Sequence, residues 1–140
     1  MIAKGKILAL DYGLGSMGLA VCDESQQIVF GKGVLQTKKG AADLIQQLKN
    51  FCENEQIKQI VIGLPLSMEG AETKQTKRIR DFSEKLQQAV HLPISFQDES
   101  FTSFEAGKIL TELNPIQPHG KADEDEMAAI LILKRYLKLD

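Results

Sequence analysis

The sequence has few of the residues that form zinc sites or disulfide frameworks. Its 140 residues include only two cysteines, Cys22 and Cys52, and two histidines. There is no CxxC motif and no histidine at zinc-ligand spacing, which excludes the common zinc modules. Two isolated cysteines are typical of a reducing compartment, where they act as small buried apolar side chains.

Long apolar runs and an excess of basic residues are also missing. A membrane span needs about 18 apolar residues in a row, and no stretch of the sequence approaches that length, so we expect no membrane partner. A strand pattern begins within about six residues of Met1, which leaves no room for a signal peptide and predicts a cytoplasmic protein. The formal net charge of −2 argues against a non-specific nucleic-acid binder.

The composition that is present is ordinary for a globular protein, with 43% hydrophobic and 26% charged residues. A chain of this length buries about two-thirds of its unfolded surface as one domain. No internal repeat or Gly/Ser-rich linker divides it. We therefore expect a single domain over 1–140.

A short apolar run from Ile7 to Leu10, which ends at Asp11 and Gly13, organises the rest of the chain. Such a run, closed by a glycine, predicts a strand buried on both faces. Asp11 then stands at the carboxyl end of a central strand, the edge at which open α/β sheets bind ligands. A carboxylate at that place is either a metal ligand or a structural cap.

Apolar periodicity and turn residues predict the remaining elements. The first three strands form an antiparallel meander, and strands joined by helices are expected to be parallel. The predicted fold is α/β, with a mixed five-stranded sheet, the first strand near its middle and helices on both faces, as in the RNase H-like fold. The further strands are 17–23, 28–37, 59–64 and 93–98, and the helices are 40–55, 72–90, 102–113 and 123–137.

The last helix is expected to begin at Asp123, an N-cap residue, with Glu126 three positions later. This start places Asp125 in the first turn. The apolar side chains predicted to face the core are Met127, Ile130, Leu131, Leu133 and Leu137.

The literal pattern G-x-G-x-x-G occurs at Gly13, Gly15 and Gly18. A dinucleotide site needs a helix directly after these glycines, because the helix N-terminus binds the pyrophosphate. Here the chain continues as a strand. The glycines are therefore interpreted as a hairpin turn that leaves the backbone open beside Asp11, with Gly13 in the loop next to the site.

Several carboxylates can meet at the edge that carries Asp11. Asp98 and Glu99 end the fifth strand, and Asp125 lies in the last helix. Clustered carboxylates repel unless a cation lies between them, and one or two Mg²⁺ ions held by such oxygens would suit phosphodiester hydrolysis. The alternatives are that Asp123 and its neighbours only cap a helix, and that Asp98 or Glu99 only terminates a strand. Asp98 and Glu99 project from opposite faces of the sheet, so which of them accompanies Asp11 stays open.

The second predicted helix opens with Lys74, Lys77 and Arg78 on one face. Cations near a helix N-terminus oppose the macrodipole, so contacts with nucleic-acid phosphates would explain them. A solvated charged face explains them equally well. His91 and His119 are single histidines, and no catalytic role is assigned to either.

Four segments in order resemble the YqgF/RuvX family of bacterial proteins: LALDYG, then VIGLPLSMEG with QTKRIRDFSEKL, then DESFTSFEA, and DEMAAILILKRYL. The resemblance spans nearly the whole chain. It implies a cytoplasmic RNase H-like nuclease that depends on Mg²⁺ or Mn²⁺. Its substrate would be the 5′ end of pre-16S ribosomal RNA, with Holliday junction DNA as the alternative. By this resemblance the acidic residues of the family fall on Asp11, on Glu99 with Asp98 beside it, and on Asp125, and the loop beside the site matches Gly63-Leu64-Pro65.

The chain also departs from the family pattern. A Thr-Lys-Arg-type segment is usual where this chain has Leu14, Gly15 and Ser16, and an arginine is usual where it has Ser100. Cations at these positions would hold the scissile phosphate or offset the carboxylates. Their absence motivates a second hypothesis, a catalytically impaired RNA-binding factor that acts on ribosomal precursor particles.

Two further alternatives follow from the same motifs. Junction cleavage in DNA requires two active sites on a dimer, so the choice between monomer and homodimer stays open. The opening strand and hairpin are also similar to those of sugar kinases and actin-type ATPases, but those proteins need two such domains around the nucleotide, and 140 residues supply one.

Overall fold

The computed structural model describes residues 4–13, 15–66, 71–99, 102–113 and 120–139, with only the backbone of residues 102–104. Within these ranges the elements follow the predicted order. None of the described helices is long and apolar enough to cross a membrane. The strands are β1 (Lys6–Tyr12), β2 (Ser16–Cys22), β3 (Val29–Gln36), β4 (Ile57–Leu64) and β5 (Ile94–Asp98), and the helices are α1 (Ala41–Glu55), α2 (Lys74–Val90), α3 (Thr102–Leu113) and α4 (Lys121–Leu137).

The five strands form one sheet in the order β3-β2-β1-β4-β5, with β1 at its centre. β2 is antiparallel to both β1 and β3, whereas β4 is parallel to both β1 and β5. This arrangement confirms the predicted mixed sheet. Because β2 begins directly after the hairpin at Ser16, a strand rather than a helix follows the first glycines, as predicted.

Side chains that alternate along the strands divide the core into two layers. Leu8 and Leu10 of β1 pack with apolar side chains of α1 and α2. Ile7 and Ala9 point to the other face and pack against α4. Since Asp11 has the same parity as Ala9, its side chain lies on the α4 face. The sequence could not supply this assignment.

Helix α4 lies in direct backbone contact with β2. A Cβ atom on Gly18 would overlap the backbone oxygen of Asp125, so a larger residue requires the helix to move. On the helix side, Ala129 is completely buried in the layer between α4 and the sheet, and the neighbouring Ala128 is also buried. Small residues on both elements therefore set the close approach of α4.

This close approach makes the predicted inward face of α4 wrong in part. Leu133 is fully buried, and the half-buried Ile130 and Leu137 also pack against the core as predicted. Met127 and Leu131 are half-buried and, among the described residues, belong to neither core layer. The helix is rotated relative to the prediction, and its backbone at Asp125 lies against Gly18 of β2. The residues that are buried are Asp125, Ala128, Ala129, Ile132 and Leu133.

The start of α4 also differs from the prediction. The helix begins at Lys121, and Gly120 is its N-cap. Asp123 is the third helical residue, and its carboxylate accepts the N–H of Gly120 at 3.2 Å. Asp125 consequently stands in the second turn rather than the first. Glu126, predicted as the capping-box partner of Asp123, instead accepts a hydrogen bond from the N–H of Gly33 at 2.6 Å and so connects α4 to β3.

Both cysteines are free and buried. Cys22 belongs to the layer beneath α4, whereas Cys52 belongs to the layer formed with α1 and α2. Their burial confirms the prediction that each acts as a small apolar side chain.

Candidate functional site

Three acidic side chains from distant parts of the chain meet at the carboxyl edge of the sheet. Asp11 stands near the end of β1, Glu99 directly follows β5, and Asp125 lies on α4. The backbone N–H of Glu99 donates to the carbonyl oxygen of Leu64 at 3.0 Å, which holds the end of β5 against the end of β4. The exposed fractions of the three acidic residues are only 6%, 8% and 1% in chain order. Burial at this level is costly for carboxylates that are neither paired nor neutralised.

Asp11 and Glu99 are hydrogen-bonded to each other. Burial, reinforced by repulsion from Asp11, raises the pKa of Glu99 to about 9. Burial also raises the pKa of Asp11 to about 6, although its hydrogen bond with Glu99 acts in the opposite direction. At neutral pH the pair therefore holds one proton, which Glu99 donates to Asp11.

Both carboxylate oxygens of Asp125 have partners. Lys121, one turn earlier on α4, donates from Nζ to Oδ1 at 2.7 Å, and the Ser16 hydroxyl donates to Oδ2. The Lys121 side chain is 66% exposed and that of Asp125 is 2% exposed, so the lysine reaches from the surface into the cluster. The hydrogen bond with Asp125 raises the pKa of Lys121, which keeps its ammonium group charged.

Glu99, and not Asp98, joins the cluster. Successive residues of an extended strand point to opposite faces, and Phe96, which shares the parity of Asp98, packs in the layer beneath α1 and α2. Asp98 is exposed at the end of β5. The structure therefore does not bring Asp98 to Asp11, and the sequence alternative between the two acidic residues is resolved in favour of Glu99.

Gly63 lies directly beside the Glu99 side chain. A Cβ atom on Gly63 would be 3.0 Å from Cδ of Glu99 and 2.5 Å from Cδ1 of Ile132. A glycine at this position therefore gives the carboxyl group room between β4 and α4. Gly63 belongs to β4 rather than to a loop, which corrects the prediction, and Pro65 is the first residue after that strand.

The glycines interpreted as one hairpin turn have different roles. Gly13 opens the hairpin, where its N–H donates to the carbonyl of Ser16 at 3.0 Å, and a Cβ there would be 3.6 Å from Oδ2 of Asp125. Gly18 lies inside β2, opposite Asp11 in the β1–β2 pairing. Because the backbone of α4 covers Gly18, the prediction that this glycine leaves the backbone open is wrong.

The three predicted phosphate-binding residues are exposed in the first two turns of α2: Lys74, Lys77 and Arg78. Helix α2 packs on the sheet face opposite to Asp11. The ring centroids of Tyr12 and Phe82 are 5.0 Å apart, so the end of β1 lies beside Phe82. From Phe82 the helix continues for about 12 Å to its first residue, at 1.5 Å per residue, and the cations therefore stand beyond the carboxyl edge of the sheet.

Other residues singled out in the sequence lie elsewhere. His91 ends α2 in a left-handed conformation, with φ 55°, at the end farthest from the cations. Leu14, Ser100 and His119 lie outside the described residues. At two positions where the family resemblance implies cations, this chain has Gly15 in the hairpin and Ser16, whose hydroxyl donates to Asp125.

The donor set suits a hard divalent cation. It consists of buried carboxylates, and repulsion from Asp11 contributes to the raised pKa of Glu99, as expected for acidic groups crowded together without a bound cation. In the described part of the chain, no three acidic, histidine or cysteine side chains are already grouped as a metal site. The oxygens of Asp125 are directed to Lys121 and Ser16 instead.

Sequence reasoning missed three contributors to this site, namely Ser16, Gly18 and Lys121. The i,i+4 spacing of Lys121 and Asp125 on a helix was a usable signal for their ion pair. Small residues at Gly18 on β2 and at Ala128 on α4 were a signal for close packing of the two elements. No local pattern indicates the contact of Ser16 with Asp125, because it joins residues far apart in sequence.

Comparison with known proteins supplies the family. A family model described as "RuvX: Holliday junction resolvase" matches residues 5–139. A protein of Dictyoglomus thermophilum named "Putative pre-16S rRNA nuclease" is 35% identical over 132 residues, which cover 94% of each chain. A protein of Koribacter versatilis with the same name is 38% identical over 135 residues, which cover 96% of this chain and 87% of the relative.

Solved structures of low sequence identity share the fold. RuvC of Thermus thermophilus in complex with a Holliday junction substrate has a TM-score of 0.59 at 10% identity, over 95% of this chain and 94% of that chain. The yeast mitochondrial Holliday junction resolvase Ydc2 has a TM-score of 0.54 at 15% identity, over 97% of this chain and 78% of that chain. These similarities confirm the RNase H-like fold class predicted from the order of elements.

Proposed function

Since this chain belongs to the RuvX family, we propose that it is a divalent-metal-dependent nuclease that hydrolyses phosphodiester bonds of pre-16S ribosomal RNA. The observation that carries the proposal is the convergence of the buried carboxylates of Asp11, Glu99 and Asp125 at one edge of the sheet. The names of the relatives from Dictyoglomus and Koribacter support the choice of substrate.

The three carboxylates would hold Mg²⁺ or Mn²⁺, as one ion or two. When bound, such ions activate a water molecule for attack on phosphorus and stabilise the leaving oxygen. Asp11 is within hydrogen-bonding reach of both other carboxylates and would therefore be the central ligand. Glu99 has to lose its proton to act as a ligand, and Gly63 keeps its carboxyl group in place beside β4.

The exposed cations of α2 would bind the nucleic acid outside the reaction centre. Lys74, Lys77 and Arg78 stand beyond the same edge of the sheet as the carboxylates but on the opposite face. Side chains in this position can contact phosphates that flank the scissile bond, which orients the strand without reading its sequence.

The test is cleavage of a labelled pre-16S 5′-leader RNA in Mn²⁺ by the wild type and by Asp11→Asn. We expect metal-dependent cleavage that Asp11→Asn abolishes, because the central ligand is lost. Asp81→Asn, an exposed residue on α2, is the matched control and should cleave normally. Full metal-dependent cleavage by Asp11→Asn contradicts the proposal.

A second candidate function is resolution of four-way DNA junctions. The description of the family model and the fold shared with RuvC favour it. A four-way junction is therefore tested beside the RNA, and the oligomeric state is measured by sedimentation, since resolution requires two sites. Cleavage of the junction and not of the leader would show that the substrate is branched DNA rather than pre-16S RNA. If folded protein binds RNA but cuts neither substrate, a non-catalytic ribosome-assembly factor becomes the better description.

A further inference from the structure

Lys121 stands where a lysine is locally unfavourable. It is the first residue of α4, and a positive charge at a helix N-terminus opposes the helix dipole. The first turn also contains two acidic residues, the exposed Asp123 and the half-buried Glu124. The ammonium group nevertheless lies 2.7 Å from Oδ1 of Asp125, which is buried. Its placement is explained by the carboxylate cluster and not by the helix.

The same lysine affects more than one carboxylate. Its charge acts on Asp11 as well as on Asp125. Of the ion pairs formed within the described ranges, this is the one that reaches the cluster. This chain has Gly15 and Ser16 at positions where the family resemblance implies cations. The positive charge next to the carboxylates therefore comes from α4 instead of from the first hairpin.

On the basis of the proposed function, we propose that Lys121 is an internal counter-ion that a divalent cation must displace from Asp125. Lys121 and the cation would compete for the same carboxylate oxygen, and the lysine charge would also repel the incoming ion. Because the Lys121 side chain is 66% exposed, its ammonium group can move into solvent without loss of hydration. The lysine thus weakens metal binding without preventing it.

The test is a Mn²⁺ titration of the wild type and of Lys121→Met, by calorimetry or by the free-Mn²⁺ resonance signal, at one pH and ionic strength. We expect Lys121→Met to bind Mn²⁺ at least about twofold more tightly, because ion pairs with both partners exposed already reach about two- to fivefold and Asp125 is buried. Lys121→Arg retains the charge and should bind like the wild type. Lys85→Met, which removes an exposed lysine of α2, is the control for net charge.

Lys121→Gln provides a second variant with a polar side chain, and the folding of each variant is checked by circular dichroism. Equal or weaker Mn²⁺ binding by both neutral variants overturns the inference while leaving the proposed function intact. If neither the wild type nor the variants bind Mn²⁺, the proposed function fails and this inference fails with it. Tighter binding by Lys85→Met as well would assign the effect to net charge and also overturn the inference.

Discussion

At the scale of single residues, the pair of Asp11 and Glu99 determines how the protein responds to pH. The pKa of Glu99 is raised from its ordinary 4.5 to about 9, and that of Asp11 from 3.8 to about 6. At pH values between the ordinary and the raised pKa of each group, the folded state therefore binds more protons than the unfolded chain. Most proteins show the reverse, because their carboxylates are stabilised in the ionised form by folding.

The free energy of unfolding of the metal-free protein should consequently fall as the pH rises from about 5 to about 9. Above the ordinary pKa of a glutamate, the unfolded chain ionises freely, whereas folding keeps Glu99 protonated at a growing cost. Glu99→Gln cannot ionise and should make the decline much shallower. Urea unfolding in the presence of a chelator at pH 5, 7 and 9 measures this.

Glu84→Gln is the matched control, since Glu84 is exposed on α2. The free energy of unfolding of this variant should fall with pH as that of the wild type does. A wild-type stability that rises over the same pH range, or a Glu99→Gln variant with the full decline, would contradict the assignment of a buried, protonated Glu99.

The identities of the three clustered residues were predictable, but their arrangement was not. Asp11 follows from the buried run before it, Glu99 with Asp98 from the end of the fifth strand and Asp125 from the last helix, and the family resemblance implies the same residues. The choice of Glu99 over Asp98 depends on which face of β5 turns toward α4, and that depends on packing. The hydroxyl of Ser16 at Asp125 is likewise a contact that only the folded chain creates.

At the scale of the elements, the docking of α4 on β2 decides where Asp125 lies. Gly18 faces the backbone of Asp125 and pairs with Asp11, so one glycine brings two of the carboxylates together. Strand and helix order could be predicted from apolar periodicity. The rotation of α4 could not, because it depends on the smallest residues, which contribute least to a periodicity analysis.

Gly18→Ala should therefore impair stability and metal binding together. The added methyl group overlaps the backbone of α4, and forcing the helix away should cost about 1–3 kcal/mol of unfolding free energy. The shift of α4 should also weaken Mn²⁺ binding, because Asp125 moves away from Asp11. Urea unfolding and Mn²⁺ titration measure the two effects.

Gly15→Ala is the matched control, because a Cβ at Gly15 has no atom within 4 Å. It should change stability by no more than about 0.5 kcal/mol. Equal effects of the two substitutions would show that the close contact between α4 and β2 is not what positions Asp125.

At the scale of the whole molecule, an acidic chain has to bind an acidic polymer. The formal charge is −2, and three of the acidic groups are buried in one cluster. The cations at the start of α2 are consequently expected to provide the contact with phosphates. Burial of the acidic cluster and exposure of the α2 cations give this part of the surface a positive charge, which the net charge of the composition does not reveal.

Replacing Lys74 and Lys77 with glutamine should weaken RNA binding and make it less sensitive to salt. Each lost phosphate contact should reduce the slope of log K against log salt concentration by about 1. Filter binding of the leader RNA at several salt concentrations measures the slope. The double variant Lys49→Gln and Lys58→Gln removes the same charge at the opposite end of the sheet and should leave the slope unchanged. If the control changes the slope equally, RNA contact is not localised to α2.

The separate burial of the two thiols gives the molecule a pair of chemical reporters. Cys22 lies beneath α4, whereas Cys52 lies on α1 in the layer that α1 and α2 form with the sheet, and burial raises the pKa of both, that of Cys52 to about 11. Reaction with a disulfide reagent therefore requires opening of the layer that covers each thiol. If a bound ion fastens α4 to the sheet, Mn²⁺ should slow the labelling of Cys22 and leave that of Cys52 nearly unchanged. The opening rates of the two core layers can thus be measured separately in one unmodified protein.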